Sequence, residues 1–260
     1  MQRQVTKEKT NENSHVQKLI GVISGKGGVG KSYTTGLLAL SLAQLGFNVG
    51  ILDADITGPS IPHMFNVKAK AFGDKNAIYP YVVEDNGIKI ISSAMLLDDN
   101  EDPLIWRGLL VSDLIKQFFN IVNWGELDYL LVDFPPGTSD VAITAMQSLP
   151  LDSLIIVTTP QDMVGTIVKK AINMAKKLNV PVLGAVNNMA YLECPKCDEK
   201  IYIYGESSRE LIETKLGVPL LGEVKLIPNN VKLLDQGKYQ EVNLDDFAKI
   251  AQIVVKRGSK

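Results

Sequence analysis

The sequence predicts an α/β fold: a mostly parallel sheet with helices on both faces, built around a phosphate-binding P-loop. Three observations predict it. Continuous apolar runs at residues 19–24, 129–133 and 154–158 read as strands buried on both faces. Helical periodicity falls between such runs, the alternation that covers a parallel sheet. The segment Gly25-Lys26-Gly27-Gly28-Val29-Gly30-Lys31-Ser32 satisfies G-x-x-x-x-G-K-[ST] between the first strand and the first helix.

The elements follow in order. After the glycine loop, Leu37, Leu38, Leu40, Ser41, Leu42 and Leu45 give a helix. Residues 48–53 form a strand ending in Asp53, and 56–66 a proline-rich loop with one helical turn. Glu84-Asp85-Asn86-Gly87 separates β-rich runs at 79–83 and 88–92, and Asn-Gly in that position signals a hairpin. Residues 104–122 read as an amphipathic helix and 129–133 as a strand ending in Asp133. A strand at 154–158, a helix over 163–178, strands at 182–186 and 218–224, and a terminal helix at 247–255 complete the chain. No linker or internal repeat divides it. We expect one domain over 18–260, with a metal-binding loop near 190–204, and a disordered tail over 1–17.

The composition is that of a soluble chain able to bury a sizeable core: 260 residues, 45% hydrophobic and 22% charged. A net charge of −2 and a pI of about 5.8 argue against nucleic acid as a partner. Lys169, Lys170, Lys176 and Lys177 lie at helical spacing and read as a solvated helix face. No apolar run is long enough to span a membrane, and the amino terminus lacks the apolar stretch of a secretory signal. A cytoplasmic location is the expectation.

The glycine loop carries the clearest chemistry. Its glycines let the backbone curl so that successive N–H groups converge on anionic oxygens. The following helix adds the partial positive charge of its N-terminus. Lys31 is placed to reach the β- and γ-phosphates of a nucleotide, and the Ser32 hydroxyl to ligate Mg²⁺. Gly25, Lys26, Gly27, Gly28, Val29, Gly30 and Tyr33 complete the binding set. Asp133, at the end of its strand, fits a Walker B role, holding a water on the Mg²⁺. Ligands in such sheets sit beyond the strands' carboxyl ends, where Asp53 and Asp133 both fall. Asp53 and Asp55 occupy alternate positions, so at least one enters the loop at the site. Residues 135–140 form a loop able to sense the γ-phosphate.

The chain has two cysteines, Cys194 and Cys197, in Glu193-Cys194-Pro195-Lys196-Cys197-Asp198. A haem attachment would need His at 198, and His15 and His63 are too distant in sequence for a local Cys₂His₂ site. A tetrahedral zinc or a four-iron cluster wants four sulfur ligands, and two chains meeting at a two-fold axis would supply them. Soft thiolates select zinc, Cu(I) or an iron–sulfur cluster. A redox-active pair would want a helix N-terminus, and a buried inert pair is the plainest alternative.

Lys26, immediately after the first glycine, makes the loop resemble the deviant Walker A of the ParA/MinD/nitrogenase-iron-protein class. That resemblance implies a lysine that crosses a homodimer interface to the partner's nucleotide. More closely, the chain resembles the Mrp/ApbC family of iron–sulfur cluster carrier ATPases over about residues 18–240. The residues that carry it are Gly25-Lys26-Gly27-Gly28-Val29-Gly30-Lys31-Ser32, Asp53-Ala54-Asp55-Ile56-Thr57-Gly58-Pro59-Ser60-Ile61-Pro62, Trp106-Arg107-Gly108, residues 133–140, Asn188-Met189 and Cys194-Pro195-Lys196-Cys197. The resemblance implies a Mg²⁺-dependent ATPase in which Asp55 orients the attacking water and Asp53 supports the Mg²⁺ shell. It implies that Asn188 reads the adenine edge, and that a [4Fe–4S] cluster bridges two subunits through Cys194 and Cys197. It implies as partners a second copy of the chain, cluster scaffold or donor proteins, and recipient apo-proteins. The chain departs from the pattern at Tyr33 (usually threonine), Ser139 (usually glycine) and Lys225 (commonly proline). The alternatives are a positioning ATPase of the MinD/ParA kind, with a membrane-binding terminal helix, and a zinc-bridged scaffold ATPase.

Overall fold

The computed structural model describes residues 7–56, 58–74, 77–96, 108–137, 139–161, 166–206 and 209–258. In chain order the elements begin with β1 (Ser14–Ser24), α1 (Lys31–Gln44), β2 (Val49–Asp53) and α2 (Ile61–Met64). Short strands β3 (Phe72–Gly73), β4 (Ile78–Tyr79) and β5 (Tyr81–Val82) precede β6 (Lys89–Ser92) and α3 (Gly108–Ile121). The centre holds β7 (Gly125–Asp133), α4 (Asp140–Ser148), β8 (Ser153–Thr158), α5 (Thr166–Lys177) and β9 (Val182–Asn187). Last come β10 (Leu192–Glu193), β11 (Lys200–Ile201), α6 (Arg209–Leu216), β12 (Leu220–Glu223), α7 (Pro228–Asp235) and α8 (Asp245–Gly258).

Among the described residues an eight-stranded sheet runs in the order β12-β9-β8-β1-β7-β2-β6-β5. All its pairings are parallel except β5 with β6, the hairpin expected at Asn86-Gly87. Successive strand residues face opposite layers, as the period of two requires. Leu19, Leu130, Val132, Leu154 and Ile156 pack on one face with Phe118, Phe119 and Trp124. Ile20, Tyr129, Leu131 and Ile155 pack on the other with Leu37, Leu38, Phe247 and Ile250. The strands are apolar at every position because both faces are covered. Parallel strands also bring their carboxyl ends to one edge, so β1, β2 and β7 deliver the glycine loop, Asp53 and Asp133 together.

Several elements differ from expectation. β1 begins at Ser14, ahead of its apolar run, because its first residues pair with Gly125, Glu126 and Leu127 of β7. The residues before it are also tied down: the Glu8 N–H donates to Ser148 O at 2.8 Å, and Lys7 Nζ to Leu149 O at 2.8 Å. Residues 7–17 are therefore part of the folded body rather than of a disordered tail. Helices α4, α6 and α7 lie in stretches with no strong apolar period, so the sequence pattern does not reveal them. The expected helix over 104–122 is described from Gly108; Trp106 and Arg107 lie outside the described residues, as does Met163 in the expected helix 163–178. Lys169, Lys170, Lys176 and Lys177 are exposed on α5, the solvated face expected of them. No helix among the described residues is long and apolar enough to cross a membrane.

Candidate functional site: a P-loop cleft beside a cysteine hairpin

The glycine loop joins β1 to α1, whose first residue is Lys31. Gly30 caps the helix in the left-handed region, with φ at 79°. A Cβ on Gly30 would fall 2.1 Å from Asn188 Nδ2. That nitrogen donates to the Val29 carbonyl at 2.9 Å, so Asn188 props the loop from the end of β9. Glycine is required at 30 both by the backbone and by this close approach.

Lys31 Nζ lies 2.8 Å from Asp133 Oδ1 and 3.7 Å from Asp55 Oδ2. Ser32 Oγ donates to Asp133 Oδ2. Thr35 Oγ1 donates to Asp133 Oδ1 at 2.9 Å and to Lys31 O at 3.1 Å. One carboxylate thus gathers an ammonium and two hydroxyls. Sequence reasoning missed Thr35; its signal is its place one helical turn after Lys31, on the same face. Ser32 and Asp133 form a hard oxygen donor set, the chemistry that Mg²⁺ takes.

Asp53 is fully buried, the last residue of β2 and the register partner of Asp133. It accepts from Ser92 Oγ at 3.1 Å and from the Asp55 N–H at 3.2 Å. Burial, then the Asp133 charge, holds its carboxyl well above the usual carboxylate range, against the pull of Lys31. Asp55 has left the strand and borders the phosphate end of the cleft. Of the two acids, Asp55 is the one that enters the loop at the site.

A cavity of about 260 Å³ opens at the loop, bordered by Lys26, Gly27, Gly28, Lys31, Ser32, Asp55 and Pro136. A second, of about 290 Å³, is bordered by His63, Met64, Asn188, Met189, Lys225, Leu226, Ile227 and Asp235. Gly30, Tyr33 and Ser60 border both, so the two are ends of one cleft. One end is walled by the glycine loop and Lys31, the other mainly by apolar groups, the division a nucleotide needs. Tyr33 stands at the junction, its hydroxyl 3.3 Å from Asn230 Nδ2 and its ring edge-on to Phe247. Lys26 is half-buried at the phosphate end, and its carbonyl accepts from Ser24 Oγ at 2.9 Å.

The cysteines sit on the turn between β10 and β11. The Cys194 N–H donates to Glu199 O and the Asp198 N–H to Cys194 O, both at 2.9 Å. Asp198 adopts φ 57° to close the turn. The Lys196 N–H, then the Cys197 thiol and N–H, point at Cys194 and pull its thiol pKa down. Cys194 is half-exposed and Cys197 exposed, so the pair is not an inert buried one. Nor does it occupy a helix N-terminus, the placement a redox-active pair would want. No group of three or more metal-ligating side chains occurs among the described residues. One chain offers two cysteine sulfurs and no more.

Residues 15–257 match the profile of the ParA family described as NUBPL iron-transfer P-loop NTPase. The chain belongs to this family. It is 47% identical over 234 residues to the iron-sulfur cluster carrier protein of Clostridium perfringens, covering 87% of this chain and 82% of that one. It is 44% identical over 257 residues to the protein of the same description in Methanocaldococcus jannaschii, covering 96% and 88%. Among solved structures it is similar to a nucleotide-binding protein of Archaeoglobus fulgidus in complex with ADP, with cobalt found in it. That similarity has a TM-score of 0.77 and 42% identity over 87% of this chain and 88% of that one. The cell division ATPase MinD of Pyrococcus furiosus, at 23% identity and a TM-score of 0.67 over 92% of this chain, shares the fold.

Ser139, where the resemblance implies glycine, caps α4, its side chain accepting from the Ala142 N–H. Asn188 donates through Nδ2 to the Val29 carbonyl and also borders the apolar end of the cleft. The terminal helix α8 buries Phe247, Ile250, Ala251 and Val254 in the core, so its apolar face is not turned to a membrane.

Proposed function

We propose that the chain binds and hydrolyses ATP in this cleft and carries a [4Fe–4S] cluster, held between two copies through Cys194 and Cys197, to recipient apo-proteins. The single observation that carries the reading is the cysteine hairpin. It displays two solvent-accessible cysteine side chains, half of a Cys₄ set, on the turn beyond the carboxyl end of β9, at the sheet edge that also holds the phosphate loop. The carrier description shared by relatives at 44–47% identity supports it.

In this reading the loop N–H groups and Lys31 hold the phosphates, and the purine fills the cavity walled by Met189, Leu226 and Ile227. Asp55 orients the attacking water, and its 3.7 Å approach to Lys31 keeps it at the phosphate end. Lys26 reaches the partner subunit's nucleotide across the dimer face. Ser32 and Asp133, with Asp53 behind them, would hold Mg²⁺, which supplies charge neutralisation at the β- and γ-phosphates when bound. Pro136 borders the phosphate end, which supports reading the loop 135–140 as the one that responds to the γ-phosphate. The cluster is cargo, received from a scaffold or donor protein and given up to an apo-protein.

The test is anaerobic reconstitution with iron and sulfide, with Cys194→Ser and Cys197→Ser alongside. About four iron and four sulfide per dimer, lost in either variant while ATP binding remains, is the expected result. Stoichiometric zinc without labile sulfide would instead make the pair a structural clasp, and the carrier reading would fall.

A further inference from the structure

Lys225 belongs to two places at once. Its side chain borders the apolar end of the cleft, and its ammonium lies 2.7 Å from Glu193 Oε2. Glu193 precedes Cys194 and pairs with Lys200 across the cysteine hairpin. The backbone around Lys225 is bound to the root of the same hairpin: the Ala190 N–H donates to Val224 O at 2.9 Å, and the Leu226 N–H to Tyr191 O at 2.8 Å. The Lys225 N–H itself is held by Asp246 Oδ2 at 3.1 Å, which fixes the segment against α8. One wall of the cleft and the base of the hairpin are thus a single bonded unit, with one side chain reaching from the first to the second.

We propose that Lys225 is a positioning residue that couples occupancy of the base end of the cleft to the cysteine hairpin through its ion pair with Glu193. The inference rests on the reading of this cavity as the base site. A base against Leu226 and Ile227 buries the Lys225 stem and holds it in the rotamer that meets Glu193. Negative charge gathered at Cys194 and Cys197 draws the same ammonium the same way. Both ligands favour one arrangement, so the coupling is positive, and as a binding free energy it is reciprocal. The pair is partly exposed, with side chains 21% and 38% accessible, which bounds the effect at about two- to fivefold.

The experiment uses the full chain without metal. ADP at saturation should slow amide exchange across the hairpin peptide, residues 191–203, by about two- to fivefold, the reach of such an ion pair. Glu193→Gln is isosteric and lies outside the cleft; it should still bind ADP and lose the protection. The exchanged pair, Lys225→Glu with Glu193→Lys, should restore it, which a merely structural role would not. A wild-type chain that titrates with ADP yet shows no protection overturns the inference, as does undiminished protection in Glu193→Gln. Absence of any ADP titration would bring down the nucleotide reading and the coupling with it. Failure to take up iron and sulfide would sink the carrier reading alone and leave this result standing.

Discussion

Lys31 and Asp133 form an ion pair 2.8 Å long between the first residue of α1 and the last of β7, with side chains 6% and 0% exposed. Charges so far from water are costly unless each is paired and hydrogen-bonded. Asp133 meets that condition through Lys31, Ser32 and Thr35 together. The same three bonds stitch the start of the helix to the end of the strand and aim the glycine loop between them. In the proposed reading, stability and phosphate recognition therefore share one carboxylate.

Asp133→Ala should be among the most damaging single changes in the chain. It leaves the buried Lys31 ammonium, the buried Thr35 hydroxyl and the half-buried Ser32 hydroxyl without their main acceptor, a loss of about 3–5 kcal/mol. A urea midpoint close to that of the wild type would contradict the assignment. Lys31→Ala leaves Asp133 its two hydroxyl partners but no close counter-charge, so it should lower stability as well as nucleotide binding. Losing a charged hydrogen bond costs about 1.5–3 kcal/mol, or roughly 10- to 150-fold in nucleotide affinity. Titration with a fluorescent ATP analogue measures it.

Gly30→Ala tests the second support of the loop. The new methyl would meet Asn188 Nδ2, and alanine at φ 79° is strained whatever the space. The backbone term is about 1–2 kcal/mol and the displaced hydrogen bond about another 1 kcal/mol. Combining Gly30→Ala with Asn188→Ala removes the clash but not the strain. The double variant should thus be less destabilised than the sum of the singles. Strict additivity in thermal melts would mean that Asn188 does not brace the loop.

The parts of this molecule legible in the sequence are those that repeat a short physical rule. The buried strands announce themselves as apolar runs, and the loop as glycines at fixed spacing. Asp53 and Asp133 stand where strands end, and the cysteine pair is visible outright. The register that pairs Ser14 with Gly125 is a backbone matter, so no side chain marked the start of β1. The cavity walls at His63, Leu226 and Asp235 come from α2, the segment before α7, and α7 itself, elements too short to show a period. Thr35, Ser92 and Glu193 matter only through partners distant in sequence, at Asp133, Asp53 and Lys225. Spacing within one segment cannot show such pairs.

Asp53 makes a prediction about pH. Its folded-state pKa lies above the ordinary aspartate value, mainly through burial and then through Asp133. Between the unfolded value of about 4 and the raised one, the folded chain binds more protons than the unfolded chain. Stability contributed by this group is therefore present at low pH and falls as pH rises through that window. Asp53→Asn removes the titration and keeps the shape. The variant should gain on the wild type as pH is raised from about 4. Denaturant midpoints in chelator, without nucleotide, follow the difference; one that stays flat or shrinks with rising pH would refute the assignment. If Asp53 backs the Mg²⁺ ligands as proposed, ATP hydrolysis should also fall in the same variant, because the carboxylate behind Ser32 and Asp133 is lost while the shape is kept.

Ser139 separates two explanations of one residue. It is exposed, so little packing is lost when it is replaced. Its hydroxyl oxygen accepts the Ala142 N–H, one of the otherwise unpaired donors at the start of α4. Alanine cannot cap and should cost about 1 kcal/mol, whereas glycine, which is tolerated at this position, should cost a few tenths. The order of thermal midpoints should be serine, then glycine, then alanine. Packing alone would reverse the last two, since alanine keeps more of the side chain. Glycine also frees the backbone between Pro136 and the helix. If this segment answers to the γ-phosphate, Ser139→Gly should alter the rate of ATP hydrolysis more than it alters the affinity for ADP. Equal effects on both would place the segment outside the switch and leave Ser139 a helix cap alone.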